Sequence, residues 1–331
     1  MYFKVSTITP CHNGVKYLQD CWGSLKRQTL GIENMECIFV DDCSTDDTWE
    51  MLEEMEREYP EHVTIIRLPE NRRQGGARNE ALKYVHGEYV QFLDQDDWLE
   101  DNALSDLLEM AEEFETDIIQ YDYVHPQGKS VDDMFCIEDR LFELEDPEDR
   151  KQMLVSGVVA CSHHNHFYRR DLLEKTGSRF PEGRLYEEPL FVYPLLFNAE
   201  RIWISTREFY NMRSHAESST ETLLADHLED HPIVQKMTLD FLKKMPQVME
   251  IYSDEIGFYF ILTYYIETMI NAGRGGKLSS EMITLMQKTL REEFPDYMEN
   301  PYIKTLDDRS LKVLETVEKP FPPEGKLTFF F

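Results

Sequence analysis

The feature that most constrains this chain is an alternation along residues 1–125, where short β-branched or aromatic runs are separated by longer stretches of helical periodicity. Parallel strands need a crossover long enough to hold a helix, so the pattern predicts an α/β fold with a mainly parallel sheet flanked by helices. Strands are expected at Val5–Thr9, Glu36–Val40, Val63–Arg67, Tyr89–Leu93 and Asp117–Tyr121. Helices are expected near Val15–Arg27, Thr45–Glu58, Gly75–Tyr84 and Asn102–Glu115. Polar clusters follow three of the strands, at Pro10–Asn13, Asp41–Asp46 and Asp94–Asp97. Open α/β sheets bind ligands outside the carboxyl ends of their strands, so these segments are expected to converge on one crevice.

Charge narrows the partners. The 64 Asp and Glu against 34 Lys and Arg leave a net charge of −30. Such a surface repels phosphates and anionic lipid, which argues against nucleic acid as a partner and requires a local device to hold any nucleotide. The opening MYFKVSTITP lacks the apolar core of an export signal, and the six cysteines form no CxxC pair, so a cytoplasmic protein with reduced thiols is expected. The longest weakly charged stretch, Ile256–Ile270, is shorter than the roughly 20 residues of a membrane span and is expected to be a buried helix. Its Tyr and Phe content also makes it a candidate for dimerisation or a membrane-proximal acceptor.

The run Phe92–Trp98 gathers Asp94, Asp96 and Asp97 at the end of an apolar strand. Two unit charges about 4 Å apart repel by roughly 4 kcal/mol at an effective dielectric near 20, and a divalent cation reverses that sign. Hard oxygen ligands point to Mn²⁺ or Mg²⁺. The competing reading is a solvated acidic turn that caps the next helix. In the run from Asp41 to Thr48, Ser44, Thr45 and Asp46 are explained as helix caps. Asp41 is not, and a strand-edge carboxylate can accept from a nucleobase N–H or from ribose hydroxyls. In Asn71–Asn79, Gly75 and Gly76 open a helix among arginines, which suits a diphosphate or, equally, an ordinary helix start.

With Thr7–Asn13, these elements follow one order, spacing and strand-end context. The chain resembles the inverting family 2 glycosyltransferases of the GT-A fold. The resemblance rests on Pro10 and Asn13; on Asp41, Asp42, Ser44 and Asp46; on Ala77, Arg78 and Asn79; and on Leu93 through Asp97. In the third motif Arg72, Arg73 and Gln74 displace the family's glycine to Gly75 or Gly76. The resemblance implies a GT-A nucleotide-diphospho-sugar transferase fold with a C-terminal helical extension. It divides the chain into a nucleotide-sugar part (1–125), an acceptor-side part (126–225) and a helical region (226–331).

By the same resemblance, Thr9, Pro10, Asn13, Asp41, Arg78, Asp94 and Gln95 bind the nucleotide sugar, with Thr9 and Asp41 at the base and Arg78 and Asp94 near ribose or diphosphate. Asp96 binds the metal, with Asp97 assisting. Phe180–Phe191 looks like the family segment in which an Asp is the general base; Glu188 stands at that position, and Glu187 is a second candidate. The segment Tyr210–His215 resembles the one that closes over the diphosphate, where Arg213 would meet phosphate and His215 the metal. In His163–His166, strand alternation lets only His164 and His166 share a side, which argues against a common metal and leaves an acceptor contact open.

The implied function is metal-dependent transfer from a UDP-sugar to a hydroxyl of a glycan or lipid-linked acceptor in surface polysaccharide synthesis, at or near the inner face of the membrane. A sugar nucleotidyltransferase is the rival enzyme. A catalytically silent sugar-nucleotide scaffold is the rival of another class, and Glu188 in place of Asp is its support.

Overall fold

The computed structural model describes residues 2–124, 138–213 and 225–320. The chain divides into two compact units, residues 1–153 with 157–214, and residues 154–156 with 215–331.

The first unit is built on one sheet. Its strands are β1 (Val5–Cys11), β2 (Met35–Asp41), β3 (Val63–Arg67), β4 (Tyr89–Phe92), β5 (Trp98–Leu99), β6 (Ile118–Val124), β7 (Arg140–Glu143), β8 (His166–Arg169) and β9 (Arg201–Asn211). Among the described residues they lie in the order β3-β2-β1-β4-β8-β6-β9-β5, with β7 on β9. The four strands from β3 to β4 are parallel, and β8 enters antiparallel between β4 and β6. The helices that concern the site are α1 (Leu18–Lys26), α2 (Thr48–Glu58), α3 (Arg73–Ala81), α4 (Ala103–Glu113), α5 (Pro147–Ser156), α6 (Arg170–Thr176) and α7 (Glu188–Leu196). All five expected strands and four expected helices are present. Helix α2 starts at Thr48 rather than Thr45 because the Asp46 carboxylate accepts from the Thr48 N–H at 3.1 Å and holds the preceding residues in a turn.

Every residue of β1 and β2 is buried, as expected of strands covered on both faces. Since β1 lies between β2 and β4, successive connections leave it in opposite directions, and a crevice opens at the carboxyl ends of β1 and β4. Four non-glycine residues with positive φ stand in its bordering loops: Asn13 (48°), Cys43 (61°), Arg73 (60°) and Tyr186 (58°). Such backbone persists only where its surroundings over-determine it, and it concentrates at functional sites.

One expectation is corrected here. Strand β8 begins only at His166, and His163 and His164 lie in the turn before it, so strand alternation does not govern where they point. Buried amides hold that turn instead. Gln91 Nε2 donates to the His164 carbonyl (2.7 Å), Gln120 accepts from the Ala160 N–H (2.6 Å), and Asn165 Nδ2 donates to the Tyr121 carbonyl (2.9 Å).

The second unit is helical: α8 (Asp230–Leu242), α9 (Pro246–Ile251), α10 (Ser253–Phe260), α11 (Thr268–Gly273), α12 (Ser280–Glu293) and α13 (Asp308–Leu314). Between α10 and α11 the helix continues as a wide π turn over Ile261–Glu267. The stretch Ile256–Ile270 is therefore helical, and Ile256, Phe260, Tyr264, Tyr265, Ile266 and Met269 are buried. Its π turn packs against α8, α12 and α13, so it is a core helix. Among the described residues no helix is long and apolar enough to cross a membrane. The aromatic tail, residues 321–331, lies outside the described residues.

Candidate active site

The acidic loop after β4 is fastened by β9. Tyr210 donates its hydroxyl hydrogen to Asp97 Oδ2 at 2.7 Å, and its oxygen accepts from the Asp94 N–H at 3.1 Å. The Arg213 N–H donates to Asp97 Oδ1 at 2.7 Å, and Arg213 Nε donates to the Asp96 carbonyl at 2.9 Å. Both Asp97 oxygens are thus occupied inside the protein, and burial, followed by the Asp96 and Asp94 charges, pushes its carboxyl well above the usual range. Asp97 thus holds the loop that carries Asp96, the residue expected at the metal. Asp96 is half-buried. His215 lies outside the described residues. Among the described residues no three His, Cys, Asp or Glu side chains form a metal cage. A lone hard carboxylate such as Asp96 fits a cation that takes most of its remaining ligands from phosphate and water, as Mg²⁺ does.

Helix α3 joins this loop to the start of α7. Arg78 is fully buried; one arm of its guanidinium meets Asp94 Oδ1 at 2.6 Å and the other meets Glu187 Oε1 at 2.8 Å. Both arms therefore bridge carboxylates of the protein, one of them Asp94, which the resemblance places beside Arg78 near ribose or diphosphate. Burial opposes the Arg78 charge, but Asp94 and Glu187 outweigh it. Burial likewise opposes ionisation of Asp94, yet Arg78, with His163, holds that carboxyl far below the ordinary range.

The next residue, Asn79, accepts from the Phe180 N–H at 2.9 Å and donates to the Phe180 carbonyl at 2.8 Å. Gly75 lies so close to this segment that a Cβ would come within 2.6 Å of the Pro181 carbonyl oxygen. That close approach explains why a glycine is needed at this point of the motif. Arg72 adds an ion pair to Glu182. Residues 180–188 are thereby held along α3, with Glu187 and Glu188 where α7 begins.

The two glutamates differ. Glu187 is consumed by Arg78 and its side chain is 6% exposed, whereas the Glu188 side chain is 31% exposed. Burial, followed by the charge of Glu187, pushes the Glu188 carboxyl up to about 8. Beside it stands His163, with Nδ1 3.8 Å from Glu188 Oε1 and Nε2 4.0 Å from Asp94 Oδ1. His163 is missing from the sequence-based site. Its only signal was the cluster His163–His166, in which nothing singles out this member.

On the other side of the crevice, Thr9 and Pro10 are buried, and Thr9 is fully so. Asp41 is also fully buried; its Oδ1 accepts from the Ser44 N–H at 3.1 Å and its Oδ2 lies 3.2 Å from Arg67 Nε. Asn13 Oδ1 accepts from the Thr45 N–H at 2.8 Å. Gln95 accepts from the His12 N–H at 2.9 Å and donates to the His12 carbonyl at 3.0 Å. Arg213 pairs with Asp20 at 2.6 Å and stacks over Trp98 at 4.8 Å. The loops after β1, β2 and β4 are therefore laced together. His12, exposed at their junction with Nδ1 2.8 Å from the Asp42 carbonyl, is a second residue that sequence reasoning did not select.

Residues 6–177 match the Glycosyl transferase family 2 model. This chain belongs to glycosyl transferase family 2. It is 29% identical over 209 residues to the poly(ribitol-phosphate) beta-N-acetylglucosaminyltransferase TarS of Staphylococcus aureus strain MW2, which covers 62% of this chain and 35% of that relative. The chain thus spans about a third of that relative's length. The structure of S. aureus TarS 1–349 in complex with UDP-GlcNAc resembles this family 2 chain with a TM-score of 0.62 at 21% identity, over 95% of this chain and 91% of that one. The mannosyltransferase PcManGT from Pyrobaculum calidifontis, in complex with GDP-Man and Mn²⁺, resembles it with a TM-score of 0.50 at 16% identity, over 95% and 86%. At these identities the likeness establishes the fold, which is GT-A, as expected.

Proposed function

We propose that this family 2 protein is a metal-dependent, inverting glycosyltransferase. Its donor is a nucleoside-diphosphate sugar, with UDP-sugar favoured, and its acceptor is a hydroxyl of a cell-surface glycan or its lipid-linked precursor. The observation that carries the reading is the Arg78 bridge, which ties the acidic strand-end loop to the Glu187–Glu188 pair and makes them one site. Glu188 is the general base. Its raised proton affinity makes its ionised form a stronger acceptor for the hydroxyl proton, and its partial exposure leaves an approach for that hydroxyl.

Asp96 would hold Mn²⁺ or Mg²⁺, and the bound cation neutralises the charge that develops on the departing nucleoside diphosphate. Support for UDP comes from the complex of TarS with UDP-GlcNAc, and support for a cation from the Mn²⁺ in the mannosyltransferase. Asn13, Asp41 and Gln95 shape the nucleotide end of the crevice through the loops they join. A lipid-linked acceptor would bring the enzyme to the cytoplasmic face of a membrane.

The test is a donor screen against glycan and poly(ribitol phosphate) acceptors, with and without Mn²⁺. Release of UDP that requires both acceptor and cation is expected. Pyrophosphate release from UTP and a sugar phosphate would instead make the protein a nucleotidyltransferase, and sugar-nucleotide binding without turnover would make it a scaffold.

A further inference from the structure

His163 is 3% exposed, and neither ring nitrogen has a hydrogen-bond partner. A buried imidazole with both nitrogens unsatisfied is costly, so its position asks for an explanation. Every charged or titratable neighbour that packs on it belongs to the site: Asp94 from the loop after β4, Arg78 from α3, Glu187 and Glu188 from the start of α7, and His164 and His166 from its own segment. Phe92 and Phe180 meet the ring edge-on at 5.8 and 5.6 Å and fix its plane.

The proton arrangement follows from these neighbours. Burial, then the positive charge of Arg78, keeps the imidazole neutral, so it has one N–H. Asp94, ionised by its pair with Arg78 at 2.6 Å, faces Nε2. Asp94 Oδ1, engaged by Arg78, can accept from Nε2, which assigns the hydrogen to Nε2 and leaves the lone pair on Nδ1, the nitrogen 3.8 Å from Glu188 Oε1.

We propose that His163 is a positioning residue for the base: its Nδ1 accepts a hydrogen bond from Glu188 once Glu188 has taken the acceptor's proton, while Asp94 fixes the tautomer from the far side. The proposal rests on Glu188 being the base. In the step, the acceptor oxygen uses its O–H electron pair to bond the anomeric carbon, and the proton passes to Glu188. The bond from that carbon to the diphosphate oxygen breaks with its electrons, which leave on the nucleoside diphosphate. The new Glu188 O–H is then held by Nδ1 until solvent removes the proton. The separations of 3.8 and 4.0 Å are long for hydrogen bonds and need to shorten by under an ångström or so in the reacting complex.

The test compares His163→Phe, His163→Asn and Glu188→Gln in the full chain. His163→Phe is expected to lower kcat by about 10- to 100-fold, the worth of one hydrogen bond to a group sharing charge, with the Kd for UDP-sugar unchanged. The acid limb of its pH profile should move down by about one unit, since the protonated base has lost its acceptor. His163→Asn, whose amide oxygen can stand where Nδ1 stands, should recover part of kcat, and it decides the question if the Phe variant fails to fold. If Glu188→Gln is inactive while His163→Phe keeps the wild-type kcat and pH profile, the role of His163 is overturned and the base is not. The role is equally overturned if both His163 variants raise KM for the donor and leave kcat unchanged, or if His163→Asn is no better than His163→Phe. If Glu188→Gln stays active, the base assignment itself has failed, and this proposal falls with it.

Discussion

The interiors of the two units handle polar groups differently. At the crevice edge of the first unit, full charges are buried and joined across long stretches of chain: Arg78 to Glu187 over 109 residues, and Tyr210 to Asp97 over 113. In the second unit the buried polar contacts span shorter stretches of chain, such as His231 Nδ1 with the Thr268 hydroxyl (2.7 Å) and Gln287 Nε2 donating to the Thr316 carbonyl (2.7 Å), and its buried Glu255 accepts from the Tyr302 hydroxyl. Buried ions cost several kcal/mol each in lost hydration, and hydrophobic replacements are often more stable. The contrast therefore lies in the ion pairs that join distant parts of the first unit, where breaking a pair strands a buried charge.

Arg78→Met should break the contrast most severely. It strands Asp94 and Glu187 in the interior, and a loss of about 3–5 kcal/mol is expected in denaturant unfolding, together with loss of turnover. Glu188→Gln should reduce kcat by about 10²- to 10⁴-fold while calorimetry finds the same affinity for UDP-sugar. Unchanged turnover would remove Glu188 from the base role. Tyr210→Phe leaves one buried Asp97 oxygen without its donor and should destabilise by about 1–3 kcal/mol. Its melting temperature is the readout.

The pH dependence sharpens the contrast. The folded-state Glu188 pKa of about 8 lies above its ordinary value of 4.5, so the stability that protonation confers is complete below 4.5 and is lost as the pH rises to about 8. Glu188→Gln should therefore melt higher than wild type at pH 9 and no higher at pH 4.5. Transfer by the wild type runs the other way, rising with pH to a plateau above about 8, because the base acts when ionised. Equal melting temperatures at both pH values would show that burial does not penalise this carboxylate. The smallest effect is expected from the double replacement of His231 by Leu and Thr268 by Val, where both partners of a neutral pair become apolar. Stability should change by no more than about 1 kcal/mol, and a larger loss would mean that the second unit also depends on its polar interior.

Much of the first unit was legible in advance. Hydrophobic periodicity located its strands and helices, and the strand-end motifs located the crevice, since both are local properties of the chain. The partners were less legible. Arg78 reads as a phosphate ligand because an arginine beside a glycine-rich helix start usually faces solvent, and only burial between Asp94 and Glu187 turns it into an internal bridge. Asp97 reads as an assistant to the metal ligand, and its partners Tyr210 and Arg213, more than 100 residues away, come into view only with the fold. Thr9 illustrates the reverse case, a motif residue whose side chain is sealed in the core.

What this chain's order of residues determined by itself was the sheet, the crevice and the kind of ligand a strand-end acidic loop can hold, because periodicity and turn chemistry act over a few neighbouring residues. Which carboxylate is spent on an ion pair and which keeps its proton near neutral pH was decided only by folding. Glu187 and Glu188 are chemically identical neighbours, and the difference between them comes from Arg78, which pairs with the first, and from burial beside that first charge, which raises the proton affinity of the second.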